Sequence, residues 1–359
     1  MRRGRKRKPY SEIDVVDLFC GIGGLSYGMK TKGFKIRGGF DLDATCRFAY
    51  EFNNDAPFFY RNVKDLSKKD INPLYTDKAV RILVGCAPCQ PFSSYAFKNK
   101  LKDSEKYDLL YEFGRLVSEV KPDIVTMENV LSIRSFKLKN VLGDFIFLLK
   151  SIGYKVSVNN VFCPQYGIPQ TRKRLVLLAS KFGDIKFIPP FITNANDYKT
   201  VRQTIGQLPP ILAGQQLKED PLHRSSKLTE RNLQRICYTP EGGGWRDWPL
   251  EMRLECHKSK TGQSFSSVYG RMKWDAPSPT ITTQCTGLGN GRFGHPSQNR
   301  AISVREAALL QTFPVDYRFF EDEAHVSIVK ASRYIGNAVP PVLGEVIAES
   351  IIRHLSEFY

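Results

Sequence analysis

The sequence predicts an α/β protein: a doubly wound, largely parallel sheet followed by a second, smaller and loop-rich domain. Three observations lead there. Short β-branched runs alternate with stretches of helical spacing over the first half of the chain. Near residue 181 the texture changes to Gly, Pro, Gln, Thr and Arg with little periodicity. The chain has 359 residues, more than one hydrophobic core ordinarily organises.

The elements follow in order. Residues 1–12 open with "MRRGRKRKPY", a basic arm with no apolar pattern, expected to be disordered and to seek phosphates. "IDVVDLF" (13–19) is a strand that stops at the glycine cluster "CGIGG". "FKIRGGFDLD" (34–43) is a second strand ending in acids, "FFYRNV" a weaker short one, and "AVRILVGCAP" (79–88) another. "EKYDLLYEFGRLVSEV" sets Leu109, Leu110, Phe113, Leu116, Val117 and Val120 at helical spacing before "KPD" breaks it. "IVTMENV" (124–130) is a buried strand. A helix over 140–152, then "KVSVNNV" and "RLVLLAS" (174–180), close the series. These define a first domain over 13–190 and a second over 191–325. A C-terminal segment, 326–359, is expected to pack back on the first domain through a helix over 341–356; "VREAALLQ" (304–311) is a further helix.

Composition narrows the classes. A hydrophobic content of 42% with 12% aromatics supplies a packed core and excludes a disordered chain. No run approaches the roughly 18 consecutive apolar residues of a membrane span. The basic start lacks the apolar segment of a secretory signal. Eight cysteines spread over the chain do not form a disulfide framework, so a reducing cytoplasm with free thiols is expected. A net charge of +17 favours a polyanionic partner, because Lys and Arg release counterions from phosphates.

Two motifs carry chemistry. The turn "DLFCGIGG" followed by Asp41 has the logic of a nucleotide site: glycines let the backbone approach, and an acid ending the next strand holds ribose hydroxyls. Ser26 stands where a dinucleotide fingerprint wants its third glycine, so NAD and S-adenosylmethionine both stay open on this feature. The second motif, "LVGCAPCQPFSS", places Cys86 and Cys89 in a C-x-x-C spacing. No other cysteine forms a matching pair, which disfavours zinc, and no metal is expected. The pair ends a strand instead of opening a helix, which disfavours a redox couple. Cys86 is best read as a packing residue. Cys89, beyond the carboxyl end of a central strand, is placed for nucleophilic chemistry.

"DLFCGIGG", "GCAPCQPFS", "MENV", "QYGIPQTRKR", "REAALLQTFP" and "IGNAVPP" occur in this order. Together they resemble the motif set of DNA (cytosine-5)-methyltransferases, especially the bacterial restriction-modification type, from about residue 13 to the C-terminus. The resemblance implies the Rossmann-like fold of S-adenosylmethionine-dependent methyltransferases, with 13–190 the catalytic and cofactor-binding domain and 191–325 the target-recognition domain. It implies transfer of a methyl group from S-adenosylmethionine to carbon 5 of a cytosine flipped out of double-stranded DNA. Cys89 would attack carbon 6, Glu128 would hold and protonate nitrogen 3, and Arg172 and Arg174 would orient the base or buttress the cysteine loop. Phe19, Gly21, Ile22, Gly23 and Gly24 would surround the methionine part of the cofactor. Asp41 would take the ribose, Leu42 would face the adenine, and Val63, Pro88, Leu109, Asn337 and Val339 would complete the pocket. Asn62 stands where the family usually has an acid, and its side-chain oxygen can still accept from the adenine amino group.

For DNA contacts the same resemblance, with the Arg, Gln, Asn and Thr content of the second domain, selects Gln90, Ser93, Arg271, Thr280, Ile281, Gln284 and Arg292. Trp245, Trp248 and Trp274 are expected to anchor a core instead of stacking on bases. The implied protein is a cytoplasmic, nucleoid-associated monomer, paired with a cognate restriction endonuclease. The competing readings are a tRNA methyltransferase on the same scaffold, a DNA-binding relative without catalysis, and an NAD-dependent oxidoreductase. The last leaves "PCQPFS" and "GNAVPP" unexplained.

Overall fold

The computed structural model describes residues 12–88, 104–135, 140–259, 262–323, 325 and 327–359. Their chain forms two compact units. The first comprises 1–162, 173–190 and 339–359; the second comprises 163–172 and 191–338.

The first unit is built on a seven-stranded sheet. Its strands are β1 (Ile13–Leu18), β2 (Lys35–Asp41), β3 (Phe58–Tyr60), β4 (Val80–Gly85), β5 (Ile124–Asn129), β6 (Lys155–Phe162) and β7 (Lys173–Ser180). The order across the sheet is β3-β2-β1-β4-β5-β7-β6. From β1 the chain winds outward to β2 and β3, then returns to place β4 on the other side of β1. The switch point therefore lies between β1 and β4, where open α/β sheets bind their ligands. β1, β4 and β5 are buried along nearly their whole length because helices cover both faces.

On one face the helices Ser104–Val120 and Val141–Ser151 pack Phe113, Leu116, Val117, Phe145 and Leu149 over Val16, Leu18, Leu83, Val125 and Met127. Each such side chain contributes about 1.5–3 kcal/mol on burial. On the other side the helices Gly24–Thr31 and Pro341–Leu355 approach glycine to glycine. A Cβ on Gly28 would stand 2.0 Å from the Pro341 carbonyl oxygen, and one on Gly344 would stand 2.7 Å from that of Leu25. Only glycine allows that approach.

The sheet departs from the expected pattern at its far edge. β7 runs antiparallel to both β5 and β6. The signal was present in the length of the connection, since residues 163–172 are too few for the dozen or more that a parallel crossover requires. The consequence is functional: β7 brings its start, not its end, to the carboxyl edge of the sheet.

The second unit has little regular structure, as its composition predicts, and is held by buried polar groups. Arg300 is fully buried and meets Glu306 through two bonds of 2.7 Å. Glu306 also closes a capping box with Ser303 at the start of the helix Val304–Leu310. Trp245 and Trp248 are buried core anchors, while Trp274 is half-buried with its edge against His295. The helix Ile328–Asn337 has no counterpart in the sequence reading. The stretch Ile328–Leu355 is long and apolar enough to cross a membrane on composition, but 67% of its apolar window is buried in the protein. It consists of two helices separated by Ala338–Pro340.

Candidate active site

The carboxyl edge of the sheet gathers the candidate residues of the first unit. β1 ends at Leu18, and the chain turns through Phe19 at φ 60, Gly21 at φ 52 and Gly23 at φ 87 into the helix Gly24–Thr31. Phe19 is a strained, non-glycine residue in the left-handed region, a conformation that persists where function requires it. Gly21 donates its amide to Asp41 Oδ2 at 2.8 Å, and Asp43 donates to Oδ1 at 2.8 Å. These bonds tie the glycine turn to the end of β2. Among the described residues nothing lies within 4 Å of a Cβ built on Gly21, so the turn is open on that side. Gly23 is different: a Cβ there would meet Asn54 Nδ2 at 2.2 Å, so its role is packing.

Burial raises the Asp41 carboxyl above its usual range against the opposing amide bonds. Leu42 beside it is 57% exposed, an apolar surface next to the acid. Asp17 lies beneath the turn, fully buried. Its Oδ2 accepts from Ser26 Oγ at 2.6 Å and its Oδ1 has no partner among the described residues. Burial, with Asp41 nearby, pushes its carboxyl up to about 7. The sequence reading passed over Asp17 because an acid inside "VVDLF" has no partner in view until the helix folds over it.

Other candidate cofactor residues are distributed around this edge. Ile22, Gly24 and Val63 are buried, and Pro88 and Leu109 are half-buried. Asn62 caps the short helix Val63–Asp65, its Oδ1 accepting from the Lys64 amide at 3.1 Å. That local role leaves one lone pair for a ligand. Val339 is buried in the first unit, whereas Asn337 is an exposed residue of the second.

The β4 exit is tied to β1 by the Cys86 amide, which donates to the Leu18 carbonyl at 3.3 Å. Cys86 is half-buried, less enclosed than a pure packing residue. Cys89, Gln90 and Ser93 lie outside the described residues. Asn129 Nδ2 donates to the Ala87 carbonyl at 3.3 Å, fixing the start of that loop against the end of β5.

Glu128 and Arg174 meet at the same edge. Glu128 is the penultimate residue of β5, on the face opposite Met127, and antiparallel β7 sets Val176 beside it and Leu175 beside Asn129. Arg174 Nε then stands 2.7 Å from Glu128 Oε1, with both side chains largely buried. The N–H does not point along this contact, which makes it an ion pair without a well-aligned hydrogen bond. A buried carboxylate is thus charge-compensated while keeping hydrogen-bonding capacity.

Arg172 does something else. It is buried in the second unit, where Nη1 donates to the Ile281 carbonyl at 3.0 Å. Gln170 Oε1 accepts from the Ile281 amide at 3.3 Å, and Gln170 Nε2 donates to Gln311 Oε1 at 2.6 Å. Gln311 Nε2 in turn donates to the carbonyls of Ile335 and Ala338. Gln170 and Gln311 escaped the sequence reading. They join the turn before β7, the Thr280–Ile281 loop and the end of the helix Ile328–Asn337.

Of the DNA-contact candidates, Gln284 is exposed, Thr280 is half-buried and Ile281 is buried. Arg271 requires correction, and Arg292 is partly engaged. Arg271 is buried, and its guanidinium donates to the carbonyls of Thr239, Ile236, His295 and Gln298. Arg292 is half-buried, with Nη1 donating to the carbonyls of Gly242, Gly243 and Arg271. Arg271 therefore holds loops together instead of presenting donors to base edges, whereas Arg292 is tied to the loops through Nη1.

A family model described as C-5 cytosine-specific DNA methylase matches residues 13–353. The chain belongs to the C-5 cytosine-specific DNA methylase family. This methylase is 51% identical over 341 residues to the Type II methylase M.HgiDII of Herpetosiphon aurantiacus, with 95% of each chain covered. It is 29% identical to the Type II methyltransferase M.PspPI of Psychrobacter sp., covering 97% of this chain and 81% of that one. Among solved structures, a prophage-encoded DNA modification methyltransferase of E. coli superposes with a TM-score of 0.73 at 24% identity, covering 96% of this chain and 100% of that one. The methyltransferase EhMeth of Entamoeba histolytica gives 0.64 at 16% identity, covering 96% and 99%. Both structures share the fold. The methylase is therefore an enzyme that methylates carbon 5 of cytosine in DNA.

Proposed function

We propose that this methylase acts on a cytosine flipped out of duplex DNA, with Cys89 as nucleophile and the Glu128–Arg174 pair as its acid site, and with S-adenosylmethionine as methyl donor. The observation that carries the reading is the buried Glu128–Arg174 pair, one strand away from the β4 exit that leads into Cys89.

Carbon 5 of cytosine is a poor nucleophile until something adds across the neighbouring double bond. The Cys89 thiolate forms a bond to carbon 6 while Glu128 delivers a proton to nitrogen 3, and the electron density gathers on carbon 5. Carbon 5 takes the methyl group and a base removes its proton; that electron pair re-forms the carbon 5–carbon 6 double bond and expels the thiolate, while nitrogen 3 returns its proton to Glu128. Arg174 keeps the Glu128 carboxyl in position through this cycle. Flipping the base costs a few kcal/mol, which contacts to the backbone and the recognition loops must offset.

S-adenosylmethionine supplies an electrophilic methyl group when bound. The residues fit it: among the described residues the turn is open on the Gly21 side, and Asp41 holds a carboxylate beside exposed Leu42. Asp41 would accept from the ribose hydroxyls, Leu42 would cover the adenine, and strained Phe19 would line the methionine side. The same reading makes the protein a cytoplasmic, nucleoid-associated monomer and the modification half of a restriction-modification pair. Its support is the high identity to a Type II methylase.

Duplex DNA carrying 5-fluorocytosine in the target site tests the chemistry, because fluorine cannot leave as a proton does. The wild-type protein should trap a covalent adduct and Cys89→Ala should not. An adduct with Cys89→Ala would remove Cys89 from the mechanism. Bisulfite sequencing of DNA from a host expressing the protein identifies the site.

A further inference from the structure

The second unit contains a cavity of about 780 Å³ that none of the catalytic or cofactor assignments uses. Trp245, Arg246, Arg253 and His257 line it. We propose that this cavity is a subsite for the phosphate backbone of DNA, with Arg246 and Arg253 as its donors. The proposal rests on the reading of duplex DNA as substrate and adds the residues that grip it.

The arginines are held in place before any ligand arrives. Their Cζ atoms sit 5.3 and 5.9 Å from the Trp245 ring centroid, for Arg246 and Arg253 respectively. Arg246 Nη2 donates to the Gln263 carbonyl at 2.7 Å. Arg253 Nη2 donates to the Arg246 carbonyl at 2.7 Å, and its Nε to that of Trp248 at 3.3 Å. Among the described residues neither Nη1 has a partner, and neither guanidinium forms an ion pair. The indole beneath them is itself pinned, its Nε1 donating to the Phe265 carbonyl at 2.9 Å. Such pre-organisation reduces the ordering cost that weakens most surface arginines as ligands.

His257 points the same way. It stacks on Trp245 at 4.3 Å between centroids and is 4% exposed, yet its Nδ1 has no partner among the described residues. Burial, then the neighbouring Arg235 and Arg253, lowers its pKa, so a polar ring atom is left without compensation beside the two guanidinium groups. Lys258, already paired with Glu255, adds positive charge, and Glu251 is the lining carboxylate. A nucleobase is the poorer occupant: Trp245 is 2% exposed, so no ring face is left for a base to stack on.

The test is the salt dependence of duplex binding by the full-length protein. Arg246→Ala and Arg253→Ala should each lower the slope of log K against log salt by about 0.9. The loss should be equal on target and scrambled duplexes, because phosphate contacts carry no sequence information. Wild-type slope and affinity in both variants would overturn the proposal. So would a loss confined to the target duplex, which marks a base reader. Weakened binding of inorganic phosphate with unchanged duplex binding would also overturn it, assigning the cavity to a free anion. Arg246 is the exposed member of the pair, so Arg246→Ala keeps the test valid if Arg253→Ala unfolds. If the wild-type protein itself shows no salt-dependent duplex binding, the DNA reading fails along with the subsite.

Discussion

Arg271 and Arg174 are arginines in similarly polar stretches, and the fold uses them in opposite ways. Arg174 compensates a buried acid, while Arg271 gathers loop carbonyls. Arg271→Ala leaves the carbonyls of Ile236, Thr239, His295 and Gln298 without their donor inside the second unit. The expected cost is about 3 kcal/mol or more, read as a shift in the urea midpoint. Arg271→Lys should not restore it, since one ammonium cannot reproduce the fork. A stable Arg271→Ala protein with altered site preference would return Arg271 to the list of base readers. The sequence could not separate these cases, because a guanidinium among glycines and threonines looks the same whether it faces a base or a peptide. The motif residues were legible for a different reason. Asp41 and the glycine turn follow the ends of neighbouring β2 and β1, and Arg174 starts the antiparallel β7 beside the end of β5 that carries Glu128, so the topology alone brings residues far apart in sequence together.

At the scale of elements, strands that are buried on both faces announced themselves as short runs rich in β-branched and aliphatic residues, and β1, β4 and β5 lie where those runs do. Strand direction has no such signature, so a largely parallel sheet was expected without a direction for β7. The helix Ile328–Asn337 was missed because its apolar residues are broken by Lys330, Ser332 and Arg333. That helix sets the path of the Thr280–Gln284 loop. A Cβ on Gly336 would stand 2.2 Å from both the Thr282 carbonyl carbon and the Thr283 amide nitrogen. Backbone cannot yield as a side chain can, so Gly336→Ala must displace the loop. The expected outcome is a folded protein, melting within a few degrees of wild type, whose turnover on duplex DNA falls at least tenfold. Unchanged turnover would show that the loop's position does not matter to catalysis.

For the molecule as a whole, two buried groups give its units opposite responses to pH. His295, in the second unit, has its pKa lowered to about 4, chiefly by burial and despite Glu306. Its folded pKa lies below the unfolded 6.5, so its contribution is complete above pH 6.5 and is lost as pH falls toward 4. Asp17, in the first unit, is raised from 3.8 to about 7. Between those values the folded state keeps a proton that the unfolded chain has released, so stability falls as pH rises through the window. Tryptophan fluorescence follows the second unit, where residues 245, 248 and 274 lie. Hydrogen exchange of the β1 amides follows the first. The second unit should weaken in acid and the first toward neutral pH, with His295→Gln and Asp17→Asn flattening the respective trends. One common slope in both probes would refute this assignment.

The interleaving of the units has a consequence for engineering. The second unit transplanted as residues 191–338 alone would leave behind 163–172, the connection between β6 and β7. That piece carries Gln170 and Arg172, whose side chains hold the amide and carbonyl of Ile281, and Gln170 also reaches the Leu310 carbonyl at 3.0 Å. A chimera that exchanges the second unit between relatives must therefore be cut at four points, with the short hairpin connection travelling alongside the long segment as a matched set.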